Sequence, residues 1–301
     1  MRKAHAAVMF ALATAPSPAL AWGEDGHWIV CELAYRHLSD GVRAEVDRLV
    51  AAHPDARDFA SGCHWADRPR KRAGEHYVNY DRGTGTVGAL TRPLNDPNVV
   101  SAVAWDAGRL ADPTLPLEDR ADALLYLGHW IGDVHQPLHV SHQDDRGGNA
   151  VEKRGACRED NLHAVWDTCL VQRGVMQLDA GSARLGGTRA RARLRTADRL
   201  GKAVQARLAM PAEERAAAPW MWAAESYAVV THSSVRYCVR SEGSAFCAYA
   251  SDNEALEPGE DRRMVDVDDA YVAEMTPVVE ESLVFAAARL AVTIEKAMGG
   301  R

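Results

Sequence analysis

Six cysteines constrain the fold of this 301-residue chain more than any other feature of its sequence. They form an even set without a C-x-x-C pair, so three disulfide bonds are expected rather than cysteine zinc sites or redox motifs. Six cysteines allow fifteen pairings, and the sequence alone leaves them open. We predict that neighbours pair in order: Cys31 with Cys63, Cys157 with Cys169, and Cys238 with Cys247.

The N-terminus has the pattern of a secretory signal peptide. A short apolar run follows Arg2 and Lys3, and the small-residue triplet Ala19-Leu20-Ala21 comes next. We predict cleavage after this triplet, which leaves residues 22–301 as a mature chain in a secreted or periplasmic location. The apolar run is too short to span a membrane, and no later stretch is free of charge for long enough, so we expect no membrane span.

Helical periodicity dominates the mature sequence. Two helices are predicted near the mature N-terminus, and others are expected over residues 119–133, 161–170, 189–208, 220–230 and 270–298. Residues 81–97 are predicted to form a loop, and Gly147-Gly148 within 144–149 indicates the turn of a small β-hairpin. The length allows one large domain or two small ones. We expect one all-α (mainly α) domain, a multi-helix bundle with a small hairpin, stabilised by disulfides and monomeric.

The charge balance argues against a broad surface for nucleic acid. The formal net charge is −7, and removal of the basic leader makes the chain more acidic still. Nonspecific affinity for a phosphate backbone comes mainly from Lys and Arg, so positive charge would have to come from a local site. One arginine run could follow a backbone, but spacing by two scatters its charges around a helix and predicts a solvated face: Arg189, Arg191, Arg193, Arg195 and Arg199.

The segment from Gly128 to His139 carries the first candidate chemistry. His129 and Asp133 are four residues apart, so on a helix both project from one face and could hold one metal ion. Pro137 ends that helix, and His139 follows in the turn, where it can point toward the same cavity. Taken alone, the His129 and Asp133 pair is equally consistent with an ordinary polar contact on a helix surface.

The same spacing recurs at His163 and Asp167. Two further fragments, Trp65-Ala66-Asp67 and His76-Tyr77-Val78-Asn79-Tyr80, add ligand types. Imidazole and carboxylate ligands without thiolates suit zinc at a catalytic site, which keeps one position open for water. Four such fragments in one chain favour a metal site over coincidence.

Signal-peptide cleavage would supply a further ligand. It makes Trp22 the new N-terminus, whose free α-amine and carbonyl can chelate zinc in a five-membered ring. His27, at the start of the first helix, can join this chelate. Considered separately, Trp22 is consistent with a core aromatic and His27 with a hydrogen-bonding residue at a helix start.

Together these residues resemble the secreted trinuclear-zinc nucleases of the S1/P1 type, which also have 3′-nucleotidase activity. The resemblance covers essentially all of the mature chain and rests on residues in the family's order: Trp22, His27, Asp67, His76, His129, Asp133, His139, His163 and Asp167. It implies a cleft with three Zn²⁺ ions. The first would be held by Asp67, His76, His129 and Asp133, the second by His139, His163 and Asp167, and the third by Trp22, His27 and a shared Asp133.

The resemblance also implies a reaction. A zinc-activated hydroxide would hydrolyse phosphodiester bonds of single-stranded DNA and RNA, and 3′-mononucleotides, to give 5′-phosphate products. Asp67, Arg70 and Asp133 would be the catalytic residues, with Arg70 as a cation near the scissile phosphate. Arg70 is equally consistent with a solvated residue of the basic run 68–72.

The resemblance places three substrate-binding residues. Tyr77 would stack on a base, Asn79 would contact a base edge, and Asn149 would contact substrate. Fungal members of the family have an acid at the position of Asn79, so this departure leaves the base preference open. Asn149 is also consistent with an ordinary turn residue.

Two other functions are consistent with the ligand pattern. The exported zinc-dependent phospholipases C resemble this family in fold and ligand order, but end the series with Glu where this chain has Asp167 and have a longer gap after the terminal Trp. A noncatalytic zinc-binding protein is disfavoured by the intact ligand set and Arg70. The remaining histidines of the mature chain match no ligand position and are predicted to be core or solvated residues: His37, His53, His64, His135, His142 and His232.

Overall fold

The computed structural model describes residues 22–179, 181, 186–211, 217–248 and 263–299. The predicted signal peptide, residues 1–21, lies outside the described residues. No helix within the described residues combines the length and the apolar character that a membrane-spanning helix needs.

Most of the described chain is helical, as predicted. In chain order the helices are α1 (Glu24–Arg36), α2 (Asp40–Ala52), α3 (Phe59–Gly62), α4 (Val99–Ala111), α5 (Leu117–Val134), α6 (Leu162–Ala164), α7 (Gly186–Leu208), α8 (Pro219–Val230) and α9 (Asp269–Met298). Helix α6 continues directly into a π-helix, Val165–Val175, and 3₁₀ turns cover Ala73–His76, Pro137–His139 and Ser233–Val235. Residues 81–97 contain neither helix nor strand, which confirms the predicted loop.

Helix α5 contacts several of the other described helices. Helices α2 and α4 pack against it, and α1 packs against the long C-terminal helix α9. Every residue from Ala123 to His142 is buried, so the C-terminal half of α5 has no solvent-facing side. A helix buried on all faces is normally apolar all round, yet α5 carries His129 and Asp133. Their polar atoms therefore need partners inside the protein.

The first turn of α1 is anchored by two arginines of α7. The Asp25 carboxylate is only 2% exposed, and it accepts hydrogen bonds from Arg189 Nε at 2.7 Å and Arg193 Nε at 2.5 Å. Gln172 Nε2 donates to the same carboxylate at 2.7 Å. The prediction of a solvated arginine face is therefore wrong for Arg189 and Arg193, because α1 and α7 pack together and a buried carboxylate needs cationic partners.

Within the described residues, four short strands form two parallel pairs: β1 (Val78–Tyr80) with β2 (Val140–His142), and β3 (Val151–Gly155) with β4 (Arg263–Val267). The predicted hairpin around 144–149 is wrong, since β2 and β3 each pair with a strand distant in sequence instead of with each other. The turn between them folds inward: Asp145, Gly147 and Gly148 are buried, whereas a hairpin tip would be exposed. Local sequence signals the turn but not the partner of either strand.

The three predicted disulfides are confirmed. Cys31–Cys63 joins α1 to the end of α3, Cys157–Cys169 joins the segment after β3 to the π-helix, and Cys238–Cys247 closes a short loop after α8. The first of these packs against α5 at Gly128, where an added Cβ would lie 2.4 Å from Cys63 Sγ and 2.9 Å from Cys31 Sγ.

Replacement of Gly128 by alanine should therefore destabilise the protein. Because the disulfide and α5 are both buried, we expect the free energy of unfolding to fall by about 1–3 kcal/mol, the usual effect of overpacking a core. Gly108→Ala is the matched control, since Gly108 is exposed on α4 and its added Cβ meets nothing within 4 Å. The control should leave stability unchanged or raise it by up to about 1 kcal/mol. Equal denaturant midpoints for the two variants would contradict the packing.

Candidate metal centre

The predicted side-chain ligands converge on one buried centre. They come from α1, the turn after α3, the 3₁₀ turns at residues 73–76 and 137–139, helix α5, helix α6 and the π-helix. Within each of three groups, the ligand atoms lie within 4.8 Å of one another: His27, His129 and Asp133; Asp67, His76 and His129; and His139, His163 and Asp167. His129 on α5 therefore belongs to two of these groups.

Asp133 is at the middle of the centre. Its Oδ2 lies 3.3 Å from His129 Nε2 and 3.3 Å from His76 Nδ1. Its Oδ1 lies 3.4 Å from His27 Nε2 and 3.7 Å from His139 Nδ1. The side chain is completely buried, so one carboxylate connects imidazoles from four separate segments.

The second predicted pair, His163 and Asp167, spans the junction between α6 and the π-helix. Asp167 Oδ2 still lies 3.4 Å from His163 Nε2, and His163 Nε2 lies 3.1 Å from His139 Nε2. The helix was predicted as α-helical, whereas an i+5 hydrogen-bond pattern follows Ala164. Such π segments are frequent at functional sites because they displace side chains from the α-helical register.

Backbone carbonyls fix the orientation of four ligand rings. His129 Nδ1 lies 2.8 Å from the Cys63 carbonyl oxygen, and His139 Nδ1 lies 2.6 Å from that of His76. His163 Nδ1 lies 2.6 Å from the Gly147 oxygen, and His76 Nε2 lies 2.8 Å from that of Lys71. A ring whose N–H donates to a carbonyl presents its other nitrogen, with a lone pair, to a metal ion.

The remaining polar atoms of the centre indicate that it is built for metal ions. Both ring nitrogens of His27, both carboxylate oxygens of Asp67 and Asp133, and Asp167 Oδ2 are buried without a hydrogen bond to any described residue. Buried polar atoms are nearly always satisfied, so a cluster of unsatisfied acceptors needs a cation. The donor set of imidazole nitrogens and carboxylate oxygens fits zinc.

Burial and charge shift the ligand pKa values in opposite directions. Burial lowers the pKa of His27 and His139 to about 4 and that of His163 to about 3. His129 is equally buried, but the carboxylates of Asp133 and Asp67 outweigh burial and raise its pKa to about 9. Burial raises the pKa of Asp167 well above its usual value. At neutral pH without metal, His129 therefore holds a proton that a cation must displace.

Two supporting groups were not predicted from the sequence. Asp106, fully buried on α4, accepts from Trp130 Nε1 at 2.8 Å, and the Trp130 ring packs edge-on against His76 and His129. Gln136 Nε2 donates to Asp167 Oδ1 at 2.6 Å. Gln136 could have been found from the sequence, because it lies between two predicted ligands, Asp133 and His139. No nearby sequence feature points to Asp106, because its role depends on how α4 packs against α5.

Trp22 lies beside the His27 group. It is completely buried, and a Cβ added at Gly132 would be 2.8 Å from His27 Nδ1 and 3.7 Å from Trp22 Cδ1. The next residue, Gly23, donates its N–H to the Asp167 carbonyl at 2.8 Å. The predicted N-terminal residue is thus fixed between α5 and the π-helix.

The predicted substrate residues have less direct support. Arg70 is partly buried and close enough to the centre that its charge adds to burial in lowering the pKa of His163 and His139. Tyr77 is partly buried next to His76, and Asn79 is buried on β1. The Asn149 side chain donates to the Arg146 carbonyl at 2.7 Å, as a turn residue does. Substrate contact by these residues stays a prediction.

The other histidines lie outside the three groups. His135 is buried, with Nδ1 2.7 Å from the Ile131 oxygen and Nε2 2.8 Å from Arg289 Nη1, and His142 is buried against Tyr237. His53 is also buried and contacts Asp122, whereas His232 lies at the start of a 3₁₀ turn. Their prediction as structural residues agrees with these contacts.

The sequence model of the S1/P1 nuclease family matches residues 22–299 of the chain. The chain belongs to the S1/P1 nuclease family. The resemblance inferred from the ligand order is thereby confirmed, over a range that contains every residue of the metal centre.

Individual members of the family are also similar to the chain. It is 32% identical to Endonuclease 4 of Arabidopsis thaliana over 173 residues, 51% of this chain and 56% of that protein. It is 30% identical to Endonuclease 2 of the same plant over 50% of this chain and 56% of that protein. Nuclease P1 of Penicillium citrinum is 30% identical over 50% of this chain and 59% of its own length. The chain thus spans about half the length of the curated relatives it matches.

Zinc binding to the metal-free protein should release protons. At pH 7 His129, with a pKa of about 9, must give up its proton to become a ligand, and the raised pKa of Asp167 acts in the same direction. Calorimetric titrations in buffers of different ionisation enthalpy should show at least one proton released, and the apparent zinc affinity should fall as the pH falls. His129→Ala provides the comparison, since it should release fewer protons. Identical heats in all buffers would contradict this assignment.

Proposed function

We propose that this protein is a zinc-dependent endonuclease that hydrolyses phosphodiester bonds of single-stranded DNA and RNA, and 3′-mononucleotides, leaving 5′-phosphates. The observation that carries the proposal is the set of three adjoining, buried groups of unsatisfied nitrogen and oxygen ligands in a member of the S1/P1 nuclease family. The nuclease names of the similar plant and fungal proteins support the same reaction class.

Three Zn²⁺ ions fit the three groups. The first would be held by Asp67, His76, His129 and Asp133, the second by His139, His163 and Asp167, and the third by His27, Asp133 and the amine and carbonyl of Trp22. When bound, zinc lowers the pKa of a coordinated water toward neutrality and polarises phosphoryl oxygens. The close approach of Asp133 to both His27 and His129 supports its role as the ligand shared by the first and third ions.

The protein's own residues would orient the substrate. Arg70, whose charge reaches the second group, would hold a non-bridging phosphate oxygen with its forked guanidinium. Tyr77, next to the ligand His76, would stack on an unpaired base, and Asn79 would contact its edge. Stacking needs bases that are not paired in a duplex, which is the physical reason to expect a preference for single strands.

Export and cleavage after Ala21 belong to the same proposal. The three disulfides support an oxidising location, and the family model begins at Trp22, the residue that would become the N-terminus. The two alternatives are a zinc-dependent phospholipase C, which has a similar ligand order and would hydrolyse a phospholipid, and a noncatalytic zinc-binding protein, which would hydrolyse neither substrate.

A direct comparison of substrates tests the reaction. Zinc-loaded mature protein should release nucleotides from heat-denatured DNA and little or no phosphocholine from lecithin. Asp133→Ala should reduce nuclease activity by at least about 100-fold, because it removes the ligand shared between metal groups. Asp122→Ala, on the same helix but half-exposed and outside the centre, is the control and should retain activity. Hydrolysis of lecithin alone, or of neither substrate, would refute the proposal.

An N-terminal extension tests the role of Trp22. One additional alanine before Trp22 converts the α-amine into an amide that cannot serve as the same ligand, so the protein should lose about one zinc per chain and most of its activity. An alanine added after Arg301 is the control. Because an α-amine has an unperturbed pKa near 8, protons should compete for this site as the pH falls. Three zincs and full activity in the extended protein would remove Trp22 from the ligand set.

A further inference from the structure

A buried carboxylate lies behind the second metal group, in the inward-folded turn between β2 and β3. Asp145 has no exposed surface, and its Oδ1 accepts hydrogen bonds from the Gly148 N–H at 2.9 Å and the Tyr237 hydroxyl at 2.8 Å. Its Oδ2 accepts from Arg82 Nη2. Arg82 is itself only 6% exposed, so the pair is an internal one.

The turn that Asp145 holds carries the carbonyl that orients His163. Gly147 and Gly148 have φ angles of 66° and 80°, which favour glycine. The Gly147 carbonyl accepts from His163 Nδ1 at 2.6 Å, and the Gly148 carbonyl accepts from the His163 N–H at 3.3 Å. A Cβ at Gly147 would lie 2.6 Å from the Leu138 oxygen, so the turn fits closely against the segment that carries His139.

The two side chains that bind Asp145 lie next to the two ends of one disulfide. Tyr237 directly precedes Cys238, which is bonded to Cys247. Arg82 Nη1 donates to the Cys247 carbonyl at 3.1 Å, and the Cys247 N–H donates to the Arg82 carbonyl at 3.0 Å. The loop closed by this disulfide therefore keeps Arg82 and Tyr237 at fixed positions on either side of the carboxylate.

We propose that Asp145, held by Arg82 and Tyr237, is a positioning residue for the second metal site. It fixes the Gly147 carbonyl, which keeps Nδ1 of His163 protonated and directs Nε2 toward His139 and Asp167. A buried ion pair often adds little net stability compared with apolar packing, and in some proteins it instead restricts its neighbours to one arrangement. The inference rests on the proposed function in one respect, the assignment of His163 as a zinc ligand.

Tyr237→Phe tests this chain of contacts with the smallest change. The substitution removes only the hydroxyl. We therefore expect the affinity for one of the three zinc ions, measured with a competing chelator, to fall about threefold. This is less than the 10–100-fold loss of affinity that is typical when a residue hydrogen-bonded directly to a metal ligand is replaced. Asp145→Asn should increase that loss to about tenfold or more. Tyr227→Phe is the control: this tyrosine is equally buried, and its hydroxyl donates to the Thr84 carbonyl at 2.6 Å instead of to Asp145. It should keep the wild-type zinc affinity.

Thermal unfolding with and without zinc separates positioning from plain stabilisation. If Asp145 positions His163, the increase in Tm caused by zinc should be smaller in Tyr237→Phe than in wild type. If the hydroxyl only stabilises the fold, Tyr237→Phe should lower the Tm by the same amount with and without zinc, and its zinc affinity should equal that of wild type. That result would overturn the inference. Should Asp145→Asn fail to fold, Tyr237→Phe decides.

His163→Ala distinguishes the failure of this inference from failure of the proposed metal site. Loss of one zinc in His163→Ala together with wild-type zinc binding in Tyr237→Phe would refute the positioning role alone. Unchanged zinc content in His163→Ala would remove His163 from the ligand set and overturn both. We expect weaker binding of one zinc ion in Tyr237→Phe, Asp145→Asn and His163→Ala, and wild-type zinc binding in Tyr227→Phe.

Discussion

The Asp133 carboxylate is the constraint on which the rest of the structure depends. It lies in the buried C-terminal half of α5, where an isolated charge would be prohibitively costly. Burial opposes its ionisation, yet the charges of His129 and His139 hold its pKa well below the usual value. Four imidazoles from four segments approach its two oxygens, so α1, α5 and two 3₁₀ turns must all meet at this point. The packing of these segments and the geometry of the centre therefore depend on each other.

Backbone groups, as well as side chains, hold the residues of this centre in position. The carbonyls that orient His129, His139, His163 and His76 come from turns, and turns hold their positions only when something fixes them. Cys63 supplies one carbonyl and is bonded to Cys31 on α1, while the Cys238–Cys247 loop holds the partners of Asp145. Two of the disulfides thus act close to the ligands. In an exported zinc protein, oxidation and metal loading would stabilise the same loops.

The residues that converge on the centre could be predicted from the sequence because several of them follow local rules. His129 and Asp133 share a helical face by spacing alone, and the order of the remaining ligands matched a family. Disulfides between neighbouring cysteines were also predictable, and the helices that were predicted agree with the observed bounds to within a few residues, whereas α4 was not predicted. The partners of β2 and β3 were not, since β4 begins more than a hundred residues after β3. Asp106 and Asp145 were missed for the same reason: each acts through contacts between segments that no local pattern connects.

The ion pairs within the protein indicate which positive charges an acidic chain could use to bind a polyanion. Arg189 and Arg193, which from sequence could have followed a phosphate backbone, are bound to Glu24 and Asp25 and hold the first turn of α1 beside Trp22. In the proposed function they would act indirectly, by fixing the chain end that would chelate zinc. In the proposed function, positive charge for the phosphate would come from the metal centre and from Arg70 near it. Such a focused charge binds a single phosphate strongly and leaves the remaining affinity to base stacking, which a flexible single strand can provide and a duplex cannot.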